Sequence, residues 1–375
     1  MKLSCLQDNL NKGLSIVGRA VATRSTLPIT QNVLIQTDGQ RLKLAATNLE
    51  IAITCWVGAR IEEEGAITVP ARLLSDFVGS LPNERVDIAL SRHTLHLQCL
   101  RSEARINGLD AQDFPPIPRI TDGIATKITA ESLAEGIEQV AFAAATEESR
   151  PVLTGVHMEF NDDRLTMAAA DGFRLGVHYT SIATPVKEKS AVIVPARTLN
   201  ELRRFLGDEE EQVEITVNQQ KTQIMFTLKN IEMVSQLIQG NFPNYSQLIP
   251  QSYTTRVVVD AAEFAQSIKR ASIFARDGSG IIRFEITPGA EATPGKMKIS
   301  SRAEEVGDNV NELDVRVDGE PVRIAFNARY LSEVLSVIEE KEVALETTTS
   351  SSPGVIRPVG NDKYVHIIMP MFVQW

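Results

Sequence analysis

One seven-residue phrase, Ala-Arg-x-Leu-(Ser/Asn)-acid-apolar, is written three times in this chain. It reads Ala71-Arg72-Leu73-Leu74-Ser75-Asp76-Phe77, then Ala196-Arg197-Thr198-Leu199-Asn200-Glu201-Leu202, then Ala328-Arg329-Tyr330-Leu331-Ser332-Glu333-Val334. A second phrase keeps nearly the same interval: Arg41-Leu42-Lys43-Leu44-Ala45-Ala46, Arg164-Leu165-Thr166-Met167-Ala168-Ala169 and Lys296-Met297-Lys298-Ile299-Ser300-Ser301. The chain is therefore one fold repeated three times, each copy of small-domain size. Such a repeat points to assembly geometry rather than to a single catalytic cleft.

Within each copy the apolar spacing predicts two helices. Leu10, Leu14, Val17 and Val21 step by four, three and four, as do Leu133, Ile137, Val140 and Ala144, and Phe264, Ile268, Ala271 and Ala275. That spacing makes one apolar stripe on a helix. Thr129 and Asp260 stand where N-caps are wanted. The second helix starts at the repeated phrase, behind Val69-Pro70, Val194-Pro195 and, in the third copy, Asn327. Proline suits a helix start because the N–H it lacks had no partner there. The buried stripe of this helix is expected at Leu74, Phe77 and Leu81, at Leu199, Leu202 and Leu206, and at Leu331, Val334 and Ile338.

Strand pairs are expected at 33–36 with 41–44 across an Asp-Gly turn, 156–160 with 164–168, and 282–286 with 296–300. Further pairs are expected at 86–90 with 95–99, 213–217 with 223–228, and 343–347 with 365–369. Each copy thus reads α-β-β-β-α-β-β-β, an α+β domain of two helices packed on antiparallel sheets. Residues 287–295 read as a floppy surface loop and the Thr/Ser-rich 347–354 as a mobile tip. Linkers fall at Phe114-Pro115-Pro116-Ile117-Pro118 and from Phe242-Pro243-Asn244-Tyr245 onward, giving domains 1–120, 121–251 and 252–375. If the copies associate edge to edge, their helices line one wall. The open edges left at the two ends invite pairing with another copy of the chain.

Composition narrows the function. The 43% hydrophobic and 23% charged residues describe a globular protein, and no apolar run is long enough to span a membrane. Asp8 stands close behind Leu6, so no signal peptide is expected. Cys5, Cys55 and Cys99 lack a CxxC spacing, which fits a reducing cytoplasm and no zinc site. Net charge is −10, so any affinity for nucleic acid must come from a local basic surface. No P-loop or GxSxG is present. His93 and His96 form an HxxH whose side chains point to opposite faces of a strand. His157, His178 and His366 are scattered, and the acidic runs 62–64 and 208–211 read as solvated turns. Neither catalysis, a cofactor nor a metal is expected.

Several phrases in fixed order carry a resemblance: Arg24-Ser25-Thr26-Leu27-Pro28-Ile29, Val69-Pro70-Ala71-Arg72, Ala170-Asp171-Gly172-Phe173-Arg174-Leu175, Phe242-Pro243-Asn244-Tyr245 and Ile368-Met369-Pro370-Met371. From Met1 to Met371 the chain resembles the bacterial DNA polymerase III beta subunit family, the sliding clamps. The resemblance implies a head-to-tail homodimeric ring of six similar domains, with helices lining a hole that holds duplex DNA. It implies no catalysis. Its implied partners are the replicative polymerase, a clamp loader and other proteins bearing a short clamp-binding motif.

Under the resemblance, DNA phosphates are met by Lys12, Arg19 and Arg24 near the first helix, Arg72 in the second, Arg197, Arg203 and Arg204 in the fourth, and Lys269, Arg270 and Arg276 in the fifth. Glu131, Glu135 and Glu138 in the third helix and Glu333, Glu339 and Glu340 in the sixth make that lining patchy. The implied peptide cleft has a deep part at Arg150, Val152, Leu153, Ala170, Gly172, Phe173, Arg174, Leu175, Pro243, Leu248, Ile367 and Met369. Its shallow part is at Asn327, Tyr330, Ser352, Pro353, Pro370 and Met371. The dimer contact is expected at Ala104 and Ile106 against Ile273 and Phe274. Three departures from the family pattern stand out: Ala170 for a common threonine, Phe173 for a histidine or tyrosine, and an added Phe372-Val373-Gln374-Trp375 tail, either folded over the cleft rim or unordered. The rival readings are a peptide-binding scaffold, which has no need of basic helices, and a DNA-acting enzyme, which needs clustered metal-binding side chains.

Overall fold

The structure is a computed structural model that describes every residue except Ser25, 208–210, Asp277, 291–292 and Val306. Most of the acidic run 208–211 and part of the loop 287–295 therefore lie outside the described residues. The first copy runs β1 (Lys2–Leu6), α1 (Gln7–Val17), β2 (Asn32–Asp38), β3 (Arg41–Thr47), β4 (Ile51–Gly58), β5 (Arg60–Glu63), β6 (Ala66–Pro70), α2 (Ala71–Ser80), β7 (Arg85–Ser91), β8 (Thr94–Cys99) and β9 (Ser102–Asn107). The second has β10 (Ile124–Thr129), α3 (Ala130–Val140), β11 (Gly155–Ala170), β12 (Arg174–Pro195), α4 (Ala196–Arg203), β13 (Gln212–Val217), β14 (Gln223–Thr227) and β15 (Ile231–Gln236). The third has β16 (Thr255–Asp260), α5 (Ala261–Arg276), β17 (Ile281–Thr287), β18 (Gly295–Ala303), β19 (Gly307–Gly319), β20 (Val322–Asn327), α6 (Ala328–Leu335), β21 (Glu342–Thr347), β22 (Gly354–Pro358) and β23 (Tyr364–Ile368).

The helices follow the apolar spacing. Leu10, Leu14, Val17, Leu133, Ile137, Val140, Phe264, Ile268, Ala271 and Ala275 are all buried. Asp260 caps α5 by accepting from Glu263 N at 3.0 Å, and Asn327 caps α6 by accepting from Arg329 N at 2.9 Å. Four expectations need correction. In α2 it is Val78, with Ala71 and Leu74, that completes the buried stripe, while Phe77 is half-buried. The α4 and α6 helices stop before Leu206 and Ile338, so Glu339 and Glu340 lie beyond the sixth helix. Each copy also opens with a strand, β1, β10 or β16, that periodicity did not reveal. In the third copy β22 separates β21 from β23, so the expected direct pairing of those two does not occur. The Thr/Ser-rich turn before β22 is tied by Ser352 N to Thr349 O at 3.2 Å and by the Thr349 and Ser352 hydroxyls at 2.7 Å.

The chain forms two compact bodies that cut through the second copy: Met1–Glu131, Ile182–Val186 and Glu201–Leu237, and Ser132–Ser181, Lys187–Asn200 and Ile238–Trp375. In the first, β5-β1-β7-β8-β9 make one sheet and β10-β13-β14-β15-β4-β3-β2-β6 another. The β2–β3 hairpin turns at Gly39, whose φ of +57° a glycine adopts without strain. The larger sheet crosses from one copy to the next where β15 pairs with β4, Ile231 opposite Cys55 through Ser235 opposite Ile51. The second body is traversed by the ten-stranded sheet β11-β12-β23-β22-β21-β16-β19-β18-β17-β20. Here β12 pairs with β23 in the same manner, Arg174 opposite Ile368 through His178 opposite Tyr364. Among the described residues β9 is paired only with β8, and residues 308–314 of β19 only with β18.

The exits of the three copies also match. After its last strand each copy bonds back to the residue three before the phrase's alanine: Leu109 to Thr68, Ile238 to Ile193, and Met371 N to Ala325 O at 2.8 Å.

Candidate functional site

Side chains alternate across a strand, and this parity divides the work of the β12–β23 pair. Leu175, Val177, Val365 and Ile367 face one side and form an apolar patch with Ala168 and Val355, against which Ala170, Tyr179, Phe242, Tyr245 and Ile249 pack. Leu175 and Ile367, at 2% and 3% exposure, are its floor. The rim is far more exposed. Phe173 is 57% exposed, Leu248 55% and Met369 42%, and Pro243 and Arg150 are exposed too. Val152 is half-buried and Leu153 buried, on the short helical turn Pro151–Thr154.

Local geometry sets this rim. Asp171 accepts from Phe173 N and Arg174 N at 2.8 and 3.0 Å, which tightens the turn between β11 and β12. Gly172 sits there at φ +97°, and a Cβ on it would meet the Arg150 guanidinium at 3.1 Å. Arg150 itself donates to Asp171 O at 3.2 Å. The tail is pinned by Met369 N donating to Phe173 O at 2.8 Å. Asn327, Tyr330, Ser352, Pro353 and Pro370 are half-buried and Met371 is 37% exposed. Trp375 lies over the Arg323 guanidinium, 5.8 Å from the ring centroid, so the tail is folded against β20. Sequence reasoning missed the aromatic wall. His157 stacks on Phe242 with centroids 5.1 Å apart, and Tyr245 meets His157 edge-on at 5.9 Å. The repeated Phe-Pro exit phrase was the signal available for it.

The same exit in the first copy packs down on its own sheet, beside a cavity lined by Asp38, Lys43, Trp56, Ile117, Arg119 and Glu232. Phe114 packs with Ile29, Leu34 and Ala45, and Ile120 packs with Met225 and Val234, the latter from β15. Phe114 and Ile120 are only 7% and 6% exposed. At the first junction the linker's own Phe114 and Ile120 cover the apolar surface, whereas at the second Leu248 stands out in solvent.

Arg174 is the main correction to the expected cleft. Its side chain is 3% exposed and points to the opposite face from Leu175. There it bonds Asp171 Oδ2 at 3.0 Å, Glu333 Oε2, and Phe142 O at 2.6 Å. Its guanidinium lies 4.6 Å from the Tyr330 ring centroid. Burial would push the Glu333 carboxyl up, but hydrogen bonds from Arg329 and Arg174 outweigh it and hold Glu333 below its ordinary value. Arg174 is therefore a strut beneath the cleft, not one of its walls.

His178 and His366, far apart in sequence, share that inner face. His178 Nδ1 is 2.8 Å from Gln139 Oε1, and His366 Nδ1 is 3.0 Å from the Tyr364 hydroxyl. Burial pushes His178 down to about 4, helped by Lys363, and His366 down to about 3, helped by Arg174. Both stay neutral in the fold, while the unfolded chain takes up their protons below about pH 6.5. Stability is therefore full above that value and falls as pH drops from about 6.5 toward 4. At pH 5 we expect a loss of about 4 kcal/mol relative to pH 7.5. Urea denaturation at the two pH values checks this, and equal stabilities would contradict it.

The basic residues are mostly on helix surfaces. Lys12 on α1 is 70% exposed and 2.7 Å from Asp8, and Arg72 on α2 is 95% exposed and 3.8 Å from Asp76. Arg24, Arg197, Arg203, Lys269, Arg270 and Arg276 are exposed as well. Arg270 is steadied by Asn311 Oδ1 at 3.0 Å. Glu201 gathers Arg19 at 3.0 Å and Arg204 at 3.6 Å, which blunts both charges. Ile273 is 55% exposed and Phe274 and Ala104 are half-buried, but the Ile106 side chain is buried in its own copy and offers a partner no surface. No helix among the described residues is long and apolar enough to cross a membrane.

Three tandem copies of a two-helix, antiparallel-sheet domain, continued strand to strand and carrying an apolar cleft at one junction, define a protein of the DNA-clamp class. Sequence models of the DNA polymerase III beta subunit match residues 1–118 as its N-terminal domain, 127–244 as its central domain and 246–372 as its C-terminal domain. The chain belongs to that family, the bacterial beta sliding clamps. The beta sliding clamps of Synechococcus elongatus and Bacillus subtilis are 34% and 31% identical to it, each over 99% of both chains. The crystal structure of the Bacillus subtilis DNA polymerase sliding clamp matches at a TM-score of 0.94 with 30% identity over 100% of both chains. A Pseudomonas aeruginosa sliding clamp solved with griselimycin bound matches at 0.93, also with 30% identity over 100% of both.

Proposed function

We propose that two copies of this chain close head to tail into a ring around duplex DNA, without catalysis, and keep the replicative polymerase on its template. One observation carries the reading. The same strand-to-strand junction occurs twice inside the chain, β4 with β15 and β12 with β23. Among the described residues its two halves each keep one open edge once more, as β9 and as residues 308–314 of β19. Strand β9 of one copy on β19 of the next repeats the junction and closes the ring. The open backbone edge of β9, and not the Ile106 side chain, is what it offers. Ile273 and Val310, 55% and 56% exposed, supply apolar cover beside it.

The clamp domains are taken as 1–120, 121–251 and 252–375. Lys12, Arg24, Arg72, Arg197, Arg203, Lys269, Arg270 and Arg276 meet phosphates through exchangeable contacts, with Arg19 and Arg204 weakened by Glu201. The cleft takes short extended peptides of the type glutamine-leucine-x-leucine-phenylalanine. Their apolar end lies on the Leu175 and Ile367 floor and their glutamine near Met369. Two or three buried side chains at roughly 1.5–3 kcal/mol each, less ordering costs, give micromolar affinity. The polymerase, the clamp loader and other motif-bearing proteins share the cleft, in the cytoplasm where the DNA is.

A circle of duplex DNA tests the ring. Protein loaded on it should survive a salt wash and be lost when the circle is cut. Retention that ignores linearisation would mean ordinary surface binding and would reject encirclement.

A further inference from the structure

We propose that the tail residues Phe372 and Trp375 extend the peptide cleft. They form a second apolar seat for a hydrophobic side chain lying two to four residues before the glutamine of a partner motif. The inference rests on the cleft reading above and adds to it a determinant of which partners bind best.

The first support is continuity. Met369 is bonded to Phe173 at the cleft rim, Met371 N to Ala325 O, and Trp375 lies over Arg323. Both Ala325 and Arg323 are on β20. The tail thus leaves the cleft and runs back along β20. Exposed apolar surface follows it without a break in the chain: Met369 at 42%, Met371 at 37%, Phe372 at 90% and Trp375 at 51%. A bound peptide with its glutamine near Met369 and its apolar end on Leu175 sends its preceding residues over this strip.

The second support is the repeat. Met371 occupies the position of Leu109 and Ile238, since all three bond back to equivalent residues before the second helix. Four or five residues later the first two copies place Phe114 and Phe242. Phe114 is buried by its own sheet, and Phe242 is stacked on His157. Trp375 is their counterpart, but it is half-exposed, and Phe372, three residues earlier, is almost wholly so. Trp375 is held to β20 through Arg323 and keeps half its surface open, and Phe372 is 90% exposed, so both can take an incoming apolar side chain. Arg323 is 60% exposed and 3.1 Å from Glu285, and its guanidinium lies against the Trp375 ring, which stays 51% exposed.

Calorimetry with two peptides decides the matter: a five-residue core motif, and the same motif preceded by four residues that include one phenylalanine. The longer peptide should bind the wild type about tenfold tighter than the core, the gain from partly burying one aromatic. That gain should vanish on deletion of residues 372–375 and on Phe372→Ser, with core affinity unchanged in both. In the Trp56→Phe background Trp375 is the sole tryptophan, and its fluorescence should respond to the longer peptide and not to the core. An equal gain on the truncated and full chains, or no gain on either, overturns the extension and leaves the cleft standing. If the core peptide fails to bind the wild type, the cleft reading falls and this inference falls with it.

Discussion

Replacing Arg174 by Ala should destabilise the second body by roughly 3–5 kcal/mol, the usual loss on breaking a buried charge pair. Asp171 and Glu333 would lose their shared cation, and Phe142 O its donor. The effect should reach the cleft although the arginine does not line it. Leu175 follows Arg174 on β12, and Tyr330 packs on the guanidinium, so peptide affinity should fall about tenfold or more, one unit of 1.4 kcal/mol. Urea denaturation reads the first effect and calorimetry the second. Arg174→Lys keeps the charge but cannot reach three acceptors as a planar fork, so it should fall between. Stability within 1 kcal/mol of wild type would show that the strut carries little.

Charged residues at Ile273 and Phe274 should convert a dimer into monomers. The double variant Ile273→Asp with Phe274→Asp places two carboxylates in the contact proposed between copies. Sedimentation at micromolar concentration should show a single-chain mass, and retention on circular DNA should disappear. Ile273→Asp alone guards against misfolding, because that side chain is 55% exposed and owes nothing to its own core. If the wild type is itself a monomer, or the double variant remains a dimer, the closure contact lies elsewhere.

The threefold architecture was legible because its carriers are periodic. The stripes from Leu133 to Ala144 and from Phe264 to Ala275 are buried as their spacing requires, and Asp38-Gly39 turns as an Asp-Gly hairpin should. What escaped was what periodicity does not encode. The opening strands β1, β10 and β16 run straight into helices with no turn residue to announce them. Strand β22 hid behind a run of threonines and serines that reads as loop. Arg174 sits among cleft residues in sequence, and only strand parity sends its side chain to the other face. His178 and His366 come to share one face through the pairing of β12 with β23, a long-range event that no local window contains.

The covered first junction has a consequence for traffic. With Ile120 buried over Val234 at one seam and Leu248 exposed at the other, one exposed apolar cleft of this kind is found among the described residues of a chain, and the proposed ring of two chains would carry two. Proteins that follow one another on the same DNA would therefore exchange occupancy at those two clefts. The order in which they act would then be set by local concentration and residence time.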